Sequence, residues 1–136
     1  MKRDPLDNLP VVGSNSSSEL GARREVDISV DAAVNVILDQ SGMSVAPEWR
    51  DLDHKRVPKR LRHIVPGARG GDSTSCFKLG TGEFQRATIA NGLELIPDQG
   101  SVPVTHGVIA PVAVVSLTQF ESDLAHTRNA WQIDET

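Results

Sequence analysis

The chain has 136 residues, 38% hydrophobic, 24% charged and 4% aromatic, which suits one modest domain and argues against two. A single cysteine, Cys76, excludes an internal disulfide, Cys-rich zinc modules and thiol redox pairs. Net charge is −4, so nothing attracts nucleic acid globally, and no apolar run approaches 18 residues. The opening MKRDPLDNLPVVG lacks the apolar core of a secretory signal. The expectation is a cytoplasmic protein with neither membrane insertion nor classical export.

Residues 1–24 are rich in Asn, Ser, Gly and Pro and read as an arm, disordered or held by a partner, ahead of a single compact domain at 25–136. From Glu25 to Asp31, Val26, Ile28 and Val30 alternate with polar residues, which predicts a half-buried strand. The period then changes. Val30, Ala33, Val34, Ile37 and Leu38 share one helical face, with Ser29 or Asp31 as N-cap and Gly42 beyond the end, and predict a helix over 31–41. A short extended piece, Met43 to Ala46, stops at Pro47.

The block from Arg50 to Arg69 holds seven basic and two acidic residues, +5, so the remainder of the chain carries −9. Pro58 ahead of Lys59, Arg60 and Leu61 predicts a single helical turn, and 66–75 (PGARGGDSTS) a loop. Short strands are predicted at Cys76–Leu79, Leu93–Ile96 and Val104–Ile109, with a turn at Gly80-Thr81-Gly82. Ser116 three residues before Gln119 forms a capping-box pattern, with Val115 and Phe120 as a staple, and Leu117, Phe120, Leu124 and Trp131 recur at helical spacing. These predict a helix over 117–130. The fold class is therefore α+β: a small, mainly antiparallel sheet with two main helices.

Candidate chemistry is sparse. The basic block suits phosphate oxygens or an acidic partner surface, but no aromatic lies within it to stack a base. Gly70-Gly71 followed by Asp72, Ser73, Thr74 and Ser75 offers small residues and hydroxyls beside that charge, without the Gly-Lys-Ser/Thr of a P-loop. His54, His63, His106 and His126 show no metal-ligand spacing, so no metal is expected. His106 interrupts an apolar strand, as a hydrogen-bonded edge residue or a catalytic one. Cys76, in an apolar run, reads as a small buried hydrophobe. Glu94 sits among apolar strand neighbours, either facing outward or serving as an acid or base.

Three stretches carry a family resemblance: Gly42-Met43-Ser44-Val45-Ala46-Pro47, Leu95-Ile96-Pro97-Asp98-Gln99-Gly100, and Thr105-His106-Gly107-Val108-Ile109-Ala110-Pro111 before the helix ending at Trp131. Together they resemble the small ADP-ribosyltransferase-like toxins delivered by bacterial type VI secretion. The resemblance implies a compact split β-sheet gripping NAD in a cleft, and transfer of ADP-ribose to a target in a competitor cell, with an immunity or carrier protein as partner. It implies that Ser73, Thr74 and Ser75 match the Ser-Thr-Ser element of the NAD site. On that reading Arg62, His63 and Arg69 hold the pyrophosphate, Ser75 positions the nicotinamide ribose, Glu94 steadies the oxocarbenium-like charge and His106 orients the ribose. The Glu-x-Glu or Gln-x-Glu pair of the arginine-modifying class is missing, and Glu94 stands only about twenty residues after Ser75. Two alternatives stay open. One is a non-enzymatic adaptor, antitoxin or phage-assembly component seated on an acidic partner; the other is a metal-independent ribonuclease toxin using His63 or His106 with Lys59.

Overall fold

The computed structural model describes residues 1–14, 16, 18–38, 41–90, 92–100 and 102–136. Among these residues six strands make two antiparallel sheets. The larger runs in the order β1 (Met43–Val45), β5 (Gly107–Pro111), β4 (Leu93–Pro97), β3 (Ala87–Ala90). The smaller pairs β2 (Phe77–Leu79) with β6 (Trp131–Ile133), placing Phe77 opposite Ile133 and Leu79 opposite Trp131. In the larger sheet Leu95 lies between Ala87 and Ile109, and Ile109 faces Met43 across the next pair, so one face carries a continuous apolar row. The expected strands at Met43–Ala46, Cys76–Leu79, Leu93–Ile96 and Val104–Ile109 correspond to β1, β2, β4 and β5. The strands β3 and β6 were not expected.

Among the described residues one α-helix, α1 (Leu117–His126), packs on this sheet at Leu93, Ile109 and Met43. Its start follows the sequence signal: Ser116 Oγ accepts a hydrogen bond from the Gln119 N–H at 3.1 Å. The Gln119 side chain turns along the helix instead of back to the cap, donating to Asp123 Oδ1 at 2.8 Å. Leu117, Phe120 and Leu124 are buried to 1% exposure or less and pack in one cluster with Leu93, Ile109, Met43 and Trp131. The helix stops four residues earlier than its apolar period predicts. Thr127 Oγ1 donates to the Leu124 carbonyl at 2.6 Å, a 3-10 turn over Arg128–Ala130 follows, and Trp131 enters β6. Trp131 Nε1–H donates to Thr127 Oγ1 at 2.9 Å, in a buried setting. Thr127→Val should leave the indole N–H unpaired and cost about 1–3 kcal/mol, measured by chemical denaturation; an unchanged midpoint would remove this hydrogen bond from the account.

The second expected helix, over 31–41, and the strand over 25–31 do not form. Asp27 draws residues 23–28 into a turn: its Oδ2 accepts from the Arg23 N–H at 2.8 Å and from Arg23 Nε at 3.2 Å, while Asp27 N and Ile28 N both donate to the Arg23 carbonyl. Glu25 sits at φ +64°. The side chain thus offers the backbone a local alternative to an extended ladder. Ile28 is buried at 2%, whereas Val26 is 65% exposed. Asp31 Oδ1 likewise accepts from Ala33 N and Asn35 N, Val34 takes φ +61°, and Val36 N and Leu117 N bond across to Val115 O and Val34 O. The Val36 N–H and the Val34 carbonyl, taken by 115–117, are not available to a helix, and the β-branched Val30, Val34, Val36 and Ile37 favour one weakly. Positions 39 and 40 of that expected helix lie outside the described residues. The single turn after Pro58 forms as expected, at Lys59–Leu61.

Residues 1–24, expected as an arm, contribute to the main core. Leu20 is 1% exposed and Ala22 0%, in the cluster with Phe120. The Arg128 guanidinium forks onto Asp7 at 2.7 and 3.0 Å, reaches Asp4 at 3.2 Å, and its Nε–H donates to the Pro10 carbonyl at 2.9 Å. That fork holds the Asp7 carboxyl below its usual range. A separate small core, Trp49, Val57, Leu61, Val65, Ala68 and Cys76, lies under the basic block. Lys59 N and Gly70 N bond Gly70 O and Val57 O, and Gly70 has no room for a side chain because the Val57 and Lys55 carbonyls would lie within 2.7–2.8 Å of a Cβ. Among the described residues no helix is long and apolar enough to cross a membrane.

Candidate functional site

A cleft of about 1060 Å³ opens between the two sheets. The larger sheet contributes Met43, Val45, Leu95 and Ile109; the smaller contributes Phe77, Leu79 and Trp131. Ser44 and Lys78 line it as well, so the walls mix apolar side chains with polar ones. One end is built by the chain leaving β1, which brings Trp49, Arg50, Lys55 and Arg56 to the rim, and by Thr74 and Ser75 leading into β2. The other end is the 80–85 segment linking β2 to β3.

Charge at the rim is organised in pairs. The Arg50 guanidinium lies 4.9 Å from the Trp49 ring centroid, a cation–π contact, and both side chains donate to the Thr136 carbonyl, at 3.2 and 3.3 Å. Asp27, deep in the wall with its side chain 8% exposed, is held by Arg23 and by Ser44 Oγ at 3.4 Å. Asp53 Oδ1 accepts from the Lys55 N–H at 2.8 Å, which with the nearby cations holds its carboxyl below the usual range. Arg60 makes a bidentate pair with Glu135 at 2.7 and 2.8 Å, and Glu135 Oε1 also accepts the Cys76 N–H at 3.1 Å. The C-terminal side of β6 is thereby tied to the basic block.

The six sequence-predicted site residues do not converge. Ser75 lines the cleft: it is 3% exposed, with Oγ 3.5 Å from an Arg60 nitrogen. Glu94 does not line it, because it alternates with Leu93 and Leu95 on β4 and so faces the other side of the sheet, where it pairs with Arg86 at 3.1 Å. His106, before β5, lies outside the cleft with Nδ1 4.0 Å from Asp98 Oδ2. Arg62, His63 and Arg69 also lie outside, on the far part of the basic block. Arg62 Nε–H donates to the Ala68 carbonyl at 2.8 Å, His63 Nδ1 sits 3.2 Å from the Arg60 carbonyl, and Arg69 N donates to the His54 carbonyl at 2.9 Å. The cations that reach the cleft are Arg50, Lys55 and Arg56, from the first part of the same block, with Arg23 and with Lys78 from β2. The charge run signalled the block, and the fold chose which end faces inward.

Cys76 follows its expected reading as a buried small hydrophobe, at 2% exposure. Burial, reinforced by the Glu135 carboxylate, raises its thiol to about 11 from 9.0. The folded chain should therefore react with iodoacetamide at pH 7.5 far more slowly than the urea-unfolded chain. The unfolded thiol loses its proton first, so this group's contribution is constant below about pH 9 and lowers stability as pH rises from about 9 to 11. Equal alkylation rates folded and unfolded would contradict this burial.

Among the described residues no group of three or more His, Cys, Asp or Glu side chains is placed to hold a metal. No protein-family model, curated protein or solved structure matches the chain.

Proposed function

We propose that the chain is an ADP-ribosyltransferase-like toxin domain that takes NAD into the cleft between its two sheets. The observation that carries the reading is the cleft itself: two small antiparallel sheets flank a volume of about 1060 Å³, room for a dinucleotide against the usual ~300–1000 Å³ of small-molecule sites. The donor set fits the ligand. Arg50, Lys55 and Arg56 at the rim suit a pyrophosphate, the Thr74 and Ser75 hydroxyls suit ribose, and Phe77 and Phe84 offer apolar faces to the two heterocycles. When bound, NAD supplies a C1′–nicotinamide bond whose heterolysis develops positive charge on the ribose. The chain's own part is to orient the two ends of the dinucleotide and place negative charge beside C1′.

The test is nicotinamide release from NAD by the purified chain, together with growth of bacteria expressing it in the cytoplasm. Release and growth arrest support the reading. A second reading, a non-enzymatic adaptor, antitoxin or phage-assembly component bound to an acidic partner, is favoured by the exposed Lys59, Arg62, His63 and Arg69, which lie outside the cleft. It expects no nicotinamide release and no arrest.

A further inference from the structure

We infer that Glu83 supplies the catalytic carboxylate of this cleft. The inference rests on the NAD reading above and assigns to Glu83 the role that the family resemblance implied for Glu94.

The argument is by availability. Of the cleft's carboxylates, Glu19 pairs with Lys2 at 3.3 Å, Asp27 with Arg23 at 3.2 Å, Glu48 with Arg50 at 4.0 Å and Asp134 with Lys78 at 3.8 Å, while Asp53 accepts the Lys55 N–H. Glu83 lines the same cleft and is exposed, and among the described residues its side chain makes no hydrogen bond or ion pair; only its backbone carbonyl accepts, from Gln85 N at 2.9 Å. A carboxylate already engaged by a cation or a backbone N–H contributes less to a developing positive charge; an unengaged one is available to it once a bound ligand displaces the water around it.

Placement agrees. The segment carrying Glu83 joins β2 of the smaller sheet to β3 of the larger, so it crosses from one wall of the cleft to the other. Gly80 takes φ +72°, and a Cβ at Gly80 or Gly82 would touch nothing within 4 Å, so the segment has space to settle on a ligand. It is also seated. The Phe84 ring packs where a side chain on Gly107 would stand, with Cζ 2.8 Å from that Cβ position, which fixes the residue next to Glu83 against β5.

The step balances. The C1′–N bond breaks with its electron pair leaving on nicotinamide, which departs neutral, and C1′ becomes an oxocarbenium ion beside the Glu83 carboxylate. A hydroxyl, amine or water of the acceptor adds its lone pair to C1′ and passes its proton to Glu83 and then to solvent. With water as acceptor the products are ADP-ribose, nicotinamide and one proton.

The experiment measures nicotinamide release and NAD binding for the full chain, Glu83→Gln and Glu94→Gln. Glu83→Gln is expected to lower nicotinamide release about 100-fold while NAD binding and thermal midpoint hold, and Glu94→Gln to release at least about tenfold faster than Glu83→Gln. Active wild type with an equally active Glu83→Gln overturns this assignment and leaves the NAD reading standing. Wild type that neither binds nor cleaves NAD overturns both.

Discussion

Phe120→Ala is expected to destabilise the chain by about 3–5 kcal/mol, the range for truncating a fully buried aromatic residue. Phe120 is 0% exposed, on the inner face of α1, in the cluster that joins Leu93 and Ile109 of the larger sheet to Trp131 of the smaller one and to Leu20 from the N-terminal segment. Removing the ring opens a void where these elements meet, and close-packed surroundings collapse into it only partly. Against a total stability of roughly 5–15 kcal/mol, the thermal midpoint should fall by about 10 °C or more. A drop below about 3 °C would mean that this cluster is not the main support of the fold.

The second large effect concerns ligand binding. Lys55 stands on the cleft rim, exposed, between Arg50 and Arg56. Lys55→Glu exchanges one cation for one anion where the proposed pyrophosphate sits. NAD binding should weaken about 10- to 100-fold, or about 1.4–2.7 kcal/mol, with the thermal midpoint unchanged because the side chain buries little. The loss should shrink with added salt, since an exposed charge acts through a screened field. The matching reversal outside the cleft, Arg69→Glu, should change NAD affinity less than threefold or so. Equal losses in the two variants would show that net charge, not the cleft, attracts the dinucleotide.

The parts of the fold legible in the sequence are those fixed locally. Helix α1 announces itself through Ser116 and the Leu117, Phe120, Leu124 period, and the structure uses both. Strands β1, β2, β4 and β5 follow from short apolar runs bounded by Pro or Gly. The 25–38 region misled because its spacing satisfied both strand and helix periods, while the deciding bonds, Val36 N to Val115 O and Leu117 N to Val34 O, join positions far apart in the chain. The strand β3, Ala-Thr-Ile-Ala, is too small-residued to signal an edge strand. The strand β6 was hidden because Trp131 falls two heptads after Leu117 and so prolongs the apparent helix.

The site divides in the same way. The basic block and the Thr74-Ser75 hydroxyls were visible, and both reach the cleft. Which cations face inward depends on the backbone pairing of 57–59 with Gly70, a non-local contact that charge counting cannot register. The alternation of Glu94 with Leu93 and Leu95 was legible, but not that the leucine side is the cleft side. Glu83 carried no sequence signal, because its importance comes from every neighbouring carboxylate having a partner.

The central claim is that NAD occupies the space between the two sheets. Hydrogen–deuterium exchange of the full chain, with and without saturating NAD, tests it most directly. Slower exchange is predicted in peptides covering 48–56, 74–79 and 80–86, with little change across 59–69 and 98–106. No protection at saturating NAD, or protection confined to 59–69, would contradict the account.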